Sequence, residues 1–233
     1  TAVLSGGVRR SASICLFDED DELMLNAKVG DWYMRHPNRA YANISSTIVT
    51  DGQEKKKDVK RVIDLNAAWG EPGVFFANAP DFGTNPCCEI GLWPYWVQSP
   101  SGETVEKIPL VMSRDKERLE QTGWKFRSGW SVCNLTEINM QKNRTFEEFI
   151  EACQAASFIG TLQAGYTNTG YLGLVSKRII EQEALIGVSL TGMYSNFSVS
   201  FSPKILEAGA KVVVDENIRV SKLIGINYAS RTT

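Results

Sequence analysis

The sequence has little of what metal, disulfide and membrane proteins usually require. Its 233 residues include one histidine, His36, and five cysteines with no CxxC pair, which argues against a zinc site and against a disulfide framework. The net charge is -2, and no uninterrupted apolar run is long enough to span a bilayer. We therefore expect neither nucleic acid nor a membrane as a partner. The first residues lack the order of a signal peptide, so we expect a cytoplasmic protein.

Strand and helix patterns alternate along the chain, which favours an α/β fold with a parallel sheet or barrel. The predicted strands are Ser11–Phe17, Tyr41–Thr50, Trp130–Asn139 and Leu185–Gly192, and the predicted helices are Asp18–His36, Val62–Trp69, Thr145–Tyr166 and Ser202–Ile226. The last helix could be broken near Gly209. Between Trp93 and Gly129 the sequence is rich in Pro, Ser, Gly, Lys and Arg. This composition predicts an excursion from the core that contains a hairpin and a short helix.

The helix that begins after Thr145 has the clearest pattern. Thr145 and Glu148 have the spacing of a capping box, in which each residue satisfies a backbone N–H group of the other. Apolar residues then recur along one stripe, which comprises Phe149, Cys153, Ala156 and Ile159. The stripe predicts that Cys153 is a core residue rather than a reactive thiol.

The stretch TNPCCEIGL, Thr84 to Leu92, places Asn85, Cys87 and Glu89 at alternate positions. If the stretch is a strand, these residues point to one face, because side chains alternate between the faces of a strand. That face would present a carboxamide, a thiol and a carboxylate together. Such groups are costly to bury without partners, so the pattern predicts a site rather than a core.

The carboxylate decides between the possible chemistries of Cys87. A nucleophilic cysteine usually needs a neighbouring base, and the one histidine available is His36. Glu89 would oppose formation of a thiolate, since a nearby negative charge raises the pKa of a thiol. A neutral thiol suits transfer of a hydrogen atom better than nucleophilic attack. Cys133 lies on a second short strand, and the two cysteines would face one pocket if their strands are parallel neighbours.

The stretch LSGGVRRSA, Leu4 to Ala12, joins two glycines to two arginines. It predicts a flexible loop that carries a guanidinium group. Arginine suits bidentate recognition of a phosphate or of a base edge.

Five motifs together resemble one family in the same order. These are SGGVRRSA, NPCCEIGL with the later CNLTEIN, GTLQAGYTNTGYL, EALIGVSLTGM and LIGINYASRTT. They resemble the catalytic chain of ribonucleotide reductases and span nearly the whole sequence. The residues of SGGVRRSA, GLWP and GTLQAGYT resemble those of the adenosylcobalamin-dependent class, and of its triphosphate-reducing branch in particular.

The resemblance implies a fold and a set of roles. Residues 1–233 would form the central portion of a ten-stranded α/β barrel, with residues 93–129 as an insertion. Cys87 would be the thiyl radical that takes the 3′-hydrogen of the ribose, and Glu89 would accept the proton of the 3′-hydroxyl. Asn85 would bind the ribose hydroxyls, and Cys133 would be half of the reducing dithiol.

The resemblance also implies partners besides the ribonucleotide substrate and adenosylcobalamin. A dithiol reductant such as thioredoxin would renew the reducing pair, and a dNTP or ATP would act as an effector. The loop between effector site and substrate base would contain Gly6, Gly7, Val8 and Arg9, with Arg9 touching the base. Cys88 matches a variable position and receives no role.

The sequence departs from the family pattern at three places. A second redox cysteine is expected before the SGG loop, whereas Cys15 follows it. The family continues past the position of Thr233 into a cysteine and a phosphate-binding turn. The spacing from Cys87 to Cys133 is also long. We therefore expect an internal piece of a reductase that is inactive without the rest of its chain. Excision at intein-type junctions, a split gene or a partial sequence would each explain such ends.

Three alternatives remain at the level of the sequence. The chain could be a non-catalytic assembly piece, or it could belong to a diiron-dependent reductase whose radical comes from a partner protein. It could also be a cysteine hydrolase that uses Cys87 with His36. The sequence does not distinguish di- from triphosphate substrates and leaves the oligomeric state open.

Overall fold

The computed structural model describes residues 13–50, 59–105, 112 and 115–232. The chain divides into two compact units. The first unit comprises Thr1–Trp93 and Leu110–Asp115, and the second comprises Pro94–Pro109 and Lys116–Thr233. Both units mix helices with strands, and both contain parallel strand pairs. The α/β class that the sequence predicts is therefore confirmed. The loop residues Gly6, Gly7, Val8 and Arg9 lie outside the described residues.

The first unit is built on a parallel sheet of three strands. Its strands are β1 (Ser13–Asp18), β2 (Ala42–Val49) and β3 (Gly73–Ala77), in the order β1-β2-β3. Its helices are α1 (Glu22–Leu25), α2 (Trp32–Arg35) and α3 (Val59–Trp69), with a 3₁₀ turn at Pro37–Tyr41. β2 is the central strand, and its residues from Ile44 to Ile48 are buried. The predicted strands at β1 and β2 and the predicted helix at α3 are confirmed.

The single helix predicted over Asp18–His36 is wrong, because the structure has two short helices there. Gly30 lies between them with a φ of +70°, a left-handed conformation that glycine adopts without strain and that interrupts an α-helix. Asp21 caps α1, where its side chain accepts a hydrogen bond from the Met24 N–H at 3.0 Å. The periodicity of the apolar residues did not reveal this interruption.

A buried lysine fixes the start of the central strand. Lys28 is 7% exposed, and its ammonium group donates to the Ala42 carbonyl at 2.6 Å and to the Glu71 carboxylate. The other oxygen of Glu71 accepts the Ile44 N–H at 3.1 Å. A buried charge is tolerated only when it is paired and hydrogen-bonded. These contacts hold β2 beside the segment that leads into β3.

The second unit contains two strand pairs. β6 (Tyr95–Gln98) pairs antiparallel with β7 (Lys125–Ser128), and α4 (Lys116–Gln121) precedes β7. β8 (Asn134–Asn139) pairs parallel with β9 (Ile186–Thr191). The hairpin and short helix predicted between Trp93 and Gly129 are therefore confirmed, as are the strands β8 and β9.

Helices complete the second unit. They are α5 (Phe146–Ala164), α6 (Gly173–Glu183), α7 (Phe197–Ser200) and α8 (Pro203–Ile224), with 3₁₀ turns at Gly170–Leu172 and Met193–Asn196. α5 packs along α8 and against the β8–β9 pair. The capping box is confirmed, because the Thr145 hydroxyl accepts the Glu148 N–H at 3.2 Å and Glu148 accepts the Thr145 N–H at 3.1 Å.

Two expectations about α5 and α8 are corrected. Ile159 is 52% exposed rather than buried, whereas Gly160 faces the strands. At 3.6 residues per turn, position 159 has rotated off the stripe that Phe149 begins. Helix α8 is also unbroken at Gly209. An added Cβ there would lie 2.6 Å from Cε1 of Phe149, so this glycine allows close helix packing rather than a break.

Candidate functional site

The segment that joins β4 (Gly83–Thr84) to β5 (Gly91–Leu92) is a turn. The Cys88 N–H donates to the Asn85 carbonyl at 2.9 Å, and Cys88 has a φ of +66°. The strand predicted over Thr84–Leu92 is therefore wrong. Pro86 explains the turn, because proline has no N–H to give to a strand ladder. Asn85, Cys87 and Glu89 still lie close together along the chain, but not as alternate residues on a strand face.

Asn85 closes the base of this turn. It is 3% exposed, and its side-chain oxygen accepts the Ile90 N–H at 3.2 Å and the Thr84 hydroxyl at 3.4 Å. Its backbone N–H donates to the Ile90 carbonyl at 3.3 Å. The Nδ2 group is buried and has no hydrogen-bond partner among the described residues. The side-chain oxygen of Asn85 thus stabilises the turn, and its Nδ2 group could donate a hydrogen bond to a ligand.

The central strand β2 also holds the turn. The side-chain amide of Asn43 donates to the Pro86 carbonyl at 3.0 Å, and its oxygen accepts the Ser45 hydroxyl at 3.0 Å. Asn43 therefore connects the rigid sheet of the first unit to the residue before Cys87. Side chains that are locked in this way can present a reactive group in a defined position.

The turn presents two thiols beside a carboxylate. Cys87 and Cys88 are both exposed. Glu89 is partly buried, and both of its carboxylate oxygens are shielded from water without a hydrogen-bond partner in the described part of the chain. Partial burial raises the pKa of Cys88, and the charges of Glu89 and Cys87 raise it further. The thiol at Cys88 therefore stays protonated at neutral pH. The prediction that Glu89 opposes a thiolate concerns Cys87 and stays a prediction.

Cys133 lies immediately before β8 in the second unit and is partly buried. The neighbouring backbone is held on α6 and the residues after it. The Trp130 N–H donates to the Ser176 hydroxyl at 3.1 Å, and the Asn134 N–H donates to the Leu185 carbonyl at 3.1 Å. Ser131 donates to the Glu183 carboxylate. Cys133 therefore sits in a segment that is fixed on both of its sides.

The strands beside the two cysteines belong to different sheets. β4 pairs with β5 in the first unit, and β8 pairs with β9 in the second. The idea that Cys87 and Cys133 lie on parallel neighbouring strands is therefore wrong for the described strands. Cys87 follows a two-residue antiparallel strand, which the alternation of residues in the sequence did not indicate.

The remaining sulfur and imidazole groups have simpler surroundings. Cys153 is 2% exposed in the core between α5 and α8, and burial raises its pKa to about 11. The prediction that Cys153 is a core residue is confirmed. Cys15 lies on β1 and is exposed. His36 follows α2 and is exposed, and its backbone N–H bonds the Trp32 carbonyl at 2.7 Å.

The sequence patterns did not indicate a buried carboxylate, Glu183, that bonds the segment before Cys133. Glu183 is 7% exposed and accepts from Ser131 and from the Arg231 guanidinium. Its carbonyl accepts the Ser230 N–H at 2.9 Å. Glu183 thereby joins the segment before Cys133 to the end of the described chain. Residues this far apart in sequence share no local motif, so no pattern could have linked them.

Among residues 13–50, 59–105, 112 and 115–232, no group of three or more His, Cys, Asp or Glu residues is arranged to hold a metal ion. None of the helices in the same ranges is long and apolar enough to cross a membrane.

Comparison with known proteins yields one informative similarity. The chain is 25% identical over 232 residues to an adenosylcobalamin-dependent ribonucleoside-triphosphate reductase from Lacticaseibacillus paracasei. The match covers 91% of this chain and 25% of the relative, so the chain spans about a quarter of the length of the protein it matches. No protein-family model matches the chain, and no solved structure matches it. The similarity supports a distant relation to an oxidoreductase of this type.

Proposed function

We propose that this chain carries ribose-reducing residues of a ribonucleotide reductase. The observation that carries the proposal is the turn after β4. It combines an exposed thiol, a carboxylate whose oxygens lack partners among the described residues, and an amide donor in the same condition. Buried polar groups without partners are costly, and functional sites are where proteins tolerate that cost. The similarity to a ribonucleoside-triphosphate reductase supports a ribonucleotide as the substrate.

In this proposal Cys87 begins the reaction as a thiyl radical. It takes the 3′-hydrogen atom of the ribose, which leaves a thiol on Cys87 and an unpaired electron on the 3′-carbon. Glu89 accepts the proton of the 3′-hydroxyl, which requires a carboxylate within hydrogen-bond reach of that group. The Nδ2 group of Asn85 donates to a ribose hydroxyl and so orients the sugar. Glu89 accepts no hydrogen bond from the described residues, which supports its role as a proton acceptor.

Cys133 supplies reducing equivalents in the next stage. Cys133 and a second thiol form the reducing pair. One of their hydrogens leaves with the 2′-hydroxyl as water, the other goes to the 2′-carbon, and the pair becomes a disulfide, while Glu89 returns its proton to the 3′-oxygen. Cys87 then returns a hydrogen atom to the 3′-carbon. A dithiol protein such as thioredoxin reduces the disulfide for the next turnover. The hydrogen bonds that fix Ser131 and Asn134 support a positioned thiol at Cys133.

Adenosylcobalamin is the cofactor we propose, because the similar reductase depends on it. Its chemistry would supply the initial radical, since cofactors carry reactions of this kind. The exposure of Cys87 fits a group that approaches from outside the turn. The resemblance further suggests that the two units belong to a ten-stranded barrel of which residues 1–233 form the central portion. Residues 93–129 would be an insertion in it.

The loop residues Gly6, Gly7, Val8 and Arg9 complete the proposal. They would connect an effector site for dNTP or ATP with the substrate base, where the Arg9 guanidinium would bind the base edge. A second candidate is a non-catalytic assembly piece of a reductase.

The test uses the longest natural polypeptide that contains this sequence. It is incubated with a ribonucleoside triphosphate, a small dithiol and adenosylcobalamin, and deoxyribonucleotide is measured. Product that depends on cobalamin supports the proposal, whereas product that requires a diiron partner protein instead overturns the cofactor assignment. Cys87→Ser should reduce product to background while substrate still binds, and Cys15→Ser is the matched control. Cys133→Ser should stop multiple turnovers with the dithiol. Substantial product from Cys87→Ser would refute the radical assignment.

A further inference from the structure

We propose that Cys87 and Cys88 close a reversible disulfide with each other, which makes the turn after β4 a redox modification site. The proposed consequence is that oxidation removes the Cys87 thiol from radical chemistry, and this consequence rests on the proposed function. The disulfide itself does not rest on it, because it depends only on two adjacent, accessible thiols.

Accessibility distinguishes this pair from most of the other cysteines. Cys87 and Cys88 are exposed, whereas Cys133 is partly buried and Cys153 is fully buried. Cys15 is exposed as well, but no cysteine is adjacent to it in the sequence. Thiols that act as redox sensors usually have a low pKa, are accessible to solvent and often lie next to a second cysteine that resolves the first oxidation product. Cys87 and Cys88 meet the conditions of accessibility and adjacency.

The turn also brings the pair into a constrained backbone. The Cys88 N–H is bonded to the Asn85 carbonyl at 2.9 Å, and Cys88 has a φ of +66°. Bulky residues seldom adopt this left-handed conformation, and strain of this kind is concentrated at functional sites. The hydrogen bond from Ile90 to the Asn85 side chain and the one from Asn43 to the Pro86 carbonyl fix the backbone of the turn. Because the backbone is fixed, the distance between the two sulfur atoms before oxidation can vary only over a limited range.

A disulfide between Cys87 and Cys88 would close a small ring that includes the peptide bond between them. The geometry of this ring predicts a labile disulfide rather than a structural one. Consecutive Cα atoms are about 3.8 Å apart across a trans peptide, whereas disulfide-linked Cα atoms are usually about 4.4–6.8 Å apart. A bond forced to the short distance is strained and more easily reduced. Strained and exposed disulfides are the regulatory ones. Cellular dithiols would therefore reopen the ring, as a reversible switch requires.

The oxidant we assign is a small-molecule disulfide of the glutathione type. The Cys87 thiol loses its proton to solvent and its sulfur attacks the small disulfide, which releases one small thiolate and leaves a mixed disulfide on Cys87. The released thiolate takes up a proton. The Cys88 thiol then loses its proton in the same way and attacks the Cys87 sulfur, and the second small thiol leaves. Two cysteine thiols are oxidised and one small disulfide is reduced to two thiols. We assign Cys88 as the resolving residue, because partial burial and the Glu89 charge raise its pKa and disfavour a first attack by its sulfur.

The sequence makes the test direct. Cleavage after Lys and Arg places Cys87 and Cys88 together in the peptide 62–107, which contains no other cysteine. The other cysteines fall one each in peptides 11–28, 128–142 and 145–177. The folded 233-residue chain is treated with glutathione disulfide, its remaining thiols are alkylated, and the peptides are weighed. We expect peptide 62–107 to lose two hydrogen atoms and to escape alkylation, and we expect dithiothreitol to reverse both changes.

Two variants separate the ring from other oxidation products. Cys88→Ser should keep glutathione on Cys87 as a stable mixed disulfide, because the resolving thiol is gone. Cys15→Ser is the matched control and should leave ring formation unchanged. Glutathione retained on peptide 62–107 of the original chain, or disulfides between different peptides, would overturn the proposal. If the disulfide forms at the same rate in the folded chain and in urea, the folded turn does not promote its formation, and that step of the proposal is wrong.

The outcome is distinguishable from failure of the proposed function. A ring that forms in a polypeptide without reductase activity leaves the redox site standing and removes the radical role of Cys87. Reductase activity without ring formation gives the reverse result.

Discussion

The α5–α8 packing of the second unit and the turn after β4 of the first unit differ in the buried amide and carboxylate groups that they contain. Most of those between the helices are hydrogen-bonded, although the Ser221 hydroxyl on α8 has no partner among the described residues. Between the helices, the Ser157 hydroxyl donates to the Val213 carbonyl at 2.7 Å. Asn217 donates to the Thr161 hydroxyl and accepts the Ala229 N–H, both at 2.9 Å. In the turn, both oxygens of Glu89 lack a hydrogen-bond partner among the described residues.

The difference separates stability from function. A buried polar group that keeps its hydrogen bonds costs little and helps to specify one arrangement of the helices. A shielded carboxylate without donors lowers the stability of the folded chain, and such a group persists where a ligand or a reaction requires it. The helix pair therefore behaves as a framework, and the turn has the features of a site.

Removal of the central ring of the framework should have the largest effect on stability. Phe149 is 2% exposed between α5 and α8, and Phe149→Ala should lower the free energy of unfolding by about 3–5 kcal/mol because it leaves a cavity. Urea unfolding followed by helix circular dichroism measures the loss. Phe146 begins the same helix at 44% exposure, so Phe146→Ala is the matched control and should cost far less. Equal losses would contradict the assignment of Phe149 to the framework.

Adding a methyl group at Gly209 should lower the free energy of unfolding by a smaller but still clear amount. The Cβ of Gly209→Ala would lie 2.6 Å from Cε1 of Phe149 and 3.1 Å from the Cys153 sulfur. We expect a loss of about 1–3 kcal/mol in urea unfolding, since a packed core resists extra atoms. Gly160→Ala on α5 is the control, because its nearest atoms lie at 3.7 Å and alanine favours a helix.

A double-mutant cycle sharpens this second prediction. If contact with the ring causes the loss, Gly209→Ala should cost less in a chain that already carries Phe149→Ala, because interacting sites are not additive. An unchanged cost would show that the strain arises elsewhere in α8.

Local periodicity predicted most of the framework from the sequence. The capping box at Thr145 and the buried positions Phe149, Cys153 and Ala156 depend on neighbours within one helix, so the pattern contains them. The strands β1, β2, β8 and β9 carry runs of β-branched and apolar residues, which are also local signals. Their parallel pairing follows from the alternation with helices.

The site was only partly predictable, because its geometry depends on tertiary contacts. The residues Asn85, Cys87 and Glu89 stood out by chemical type, yet the strand assumed for them is a turn. Two glycines show the same limit. Gly209 gives a helix-breaking signal in sequence, but in the fold it makes room for the Phe149 ring, and Gly160 replaces Ile159 on the buried stripe. Contacts such as these join residues tens of positions apart.

Neutralising the partly buried Glu89 of the turn should have the smallest effect on stability, whereas neutralising the buried Glu183 of the second unit should have a clear effect. Glu89→Gln removes a charge that has no donor among the described residues, so we expect a change in the free energy of unfolding within about 0.5 kcal/mol, or a gain. Glu183→Gln removes the ion pair with Arg231 and should cost about 1.5–3 kcal/mol. Urea unfolding of both variants makes the comparison. If Glu89→Gln were as destabilising as Glu183→Gln, the carboxylate of Glu89 would be part of the framework, and the contrast between site and framework would fail. If it is neutral in unfolding but lowers deoxyribonucleotide formation in the longest natural polypeptide, the carboxylate serves the reaction rather than the fold.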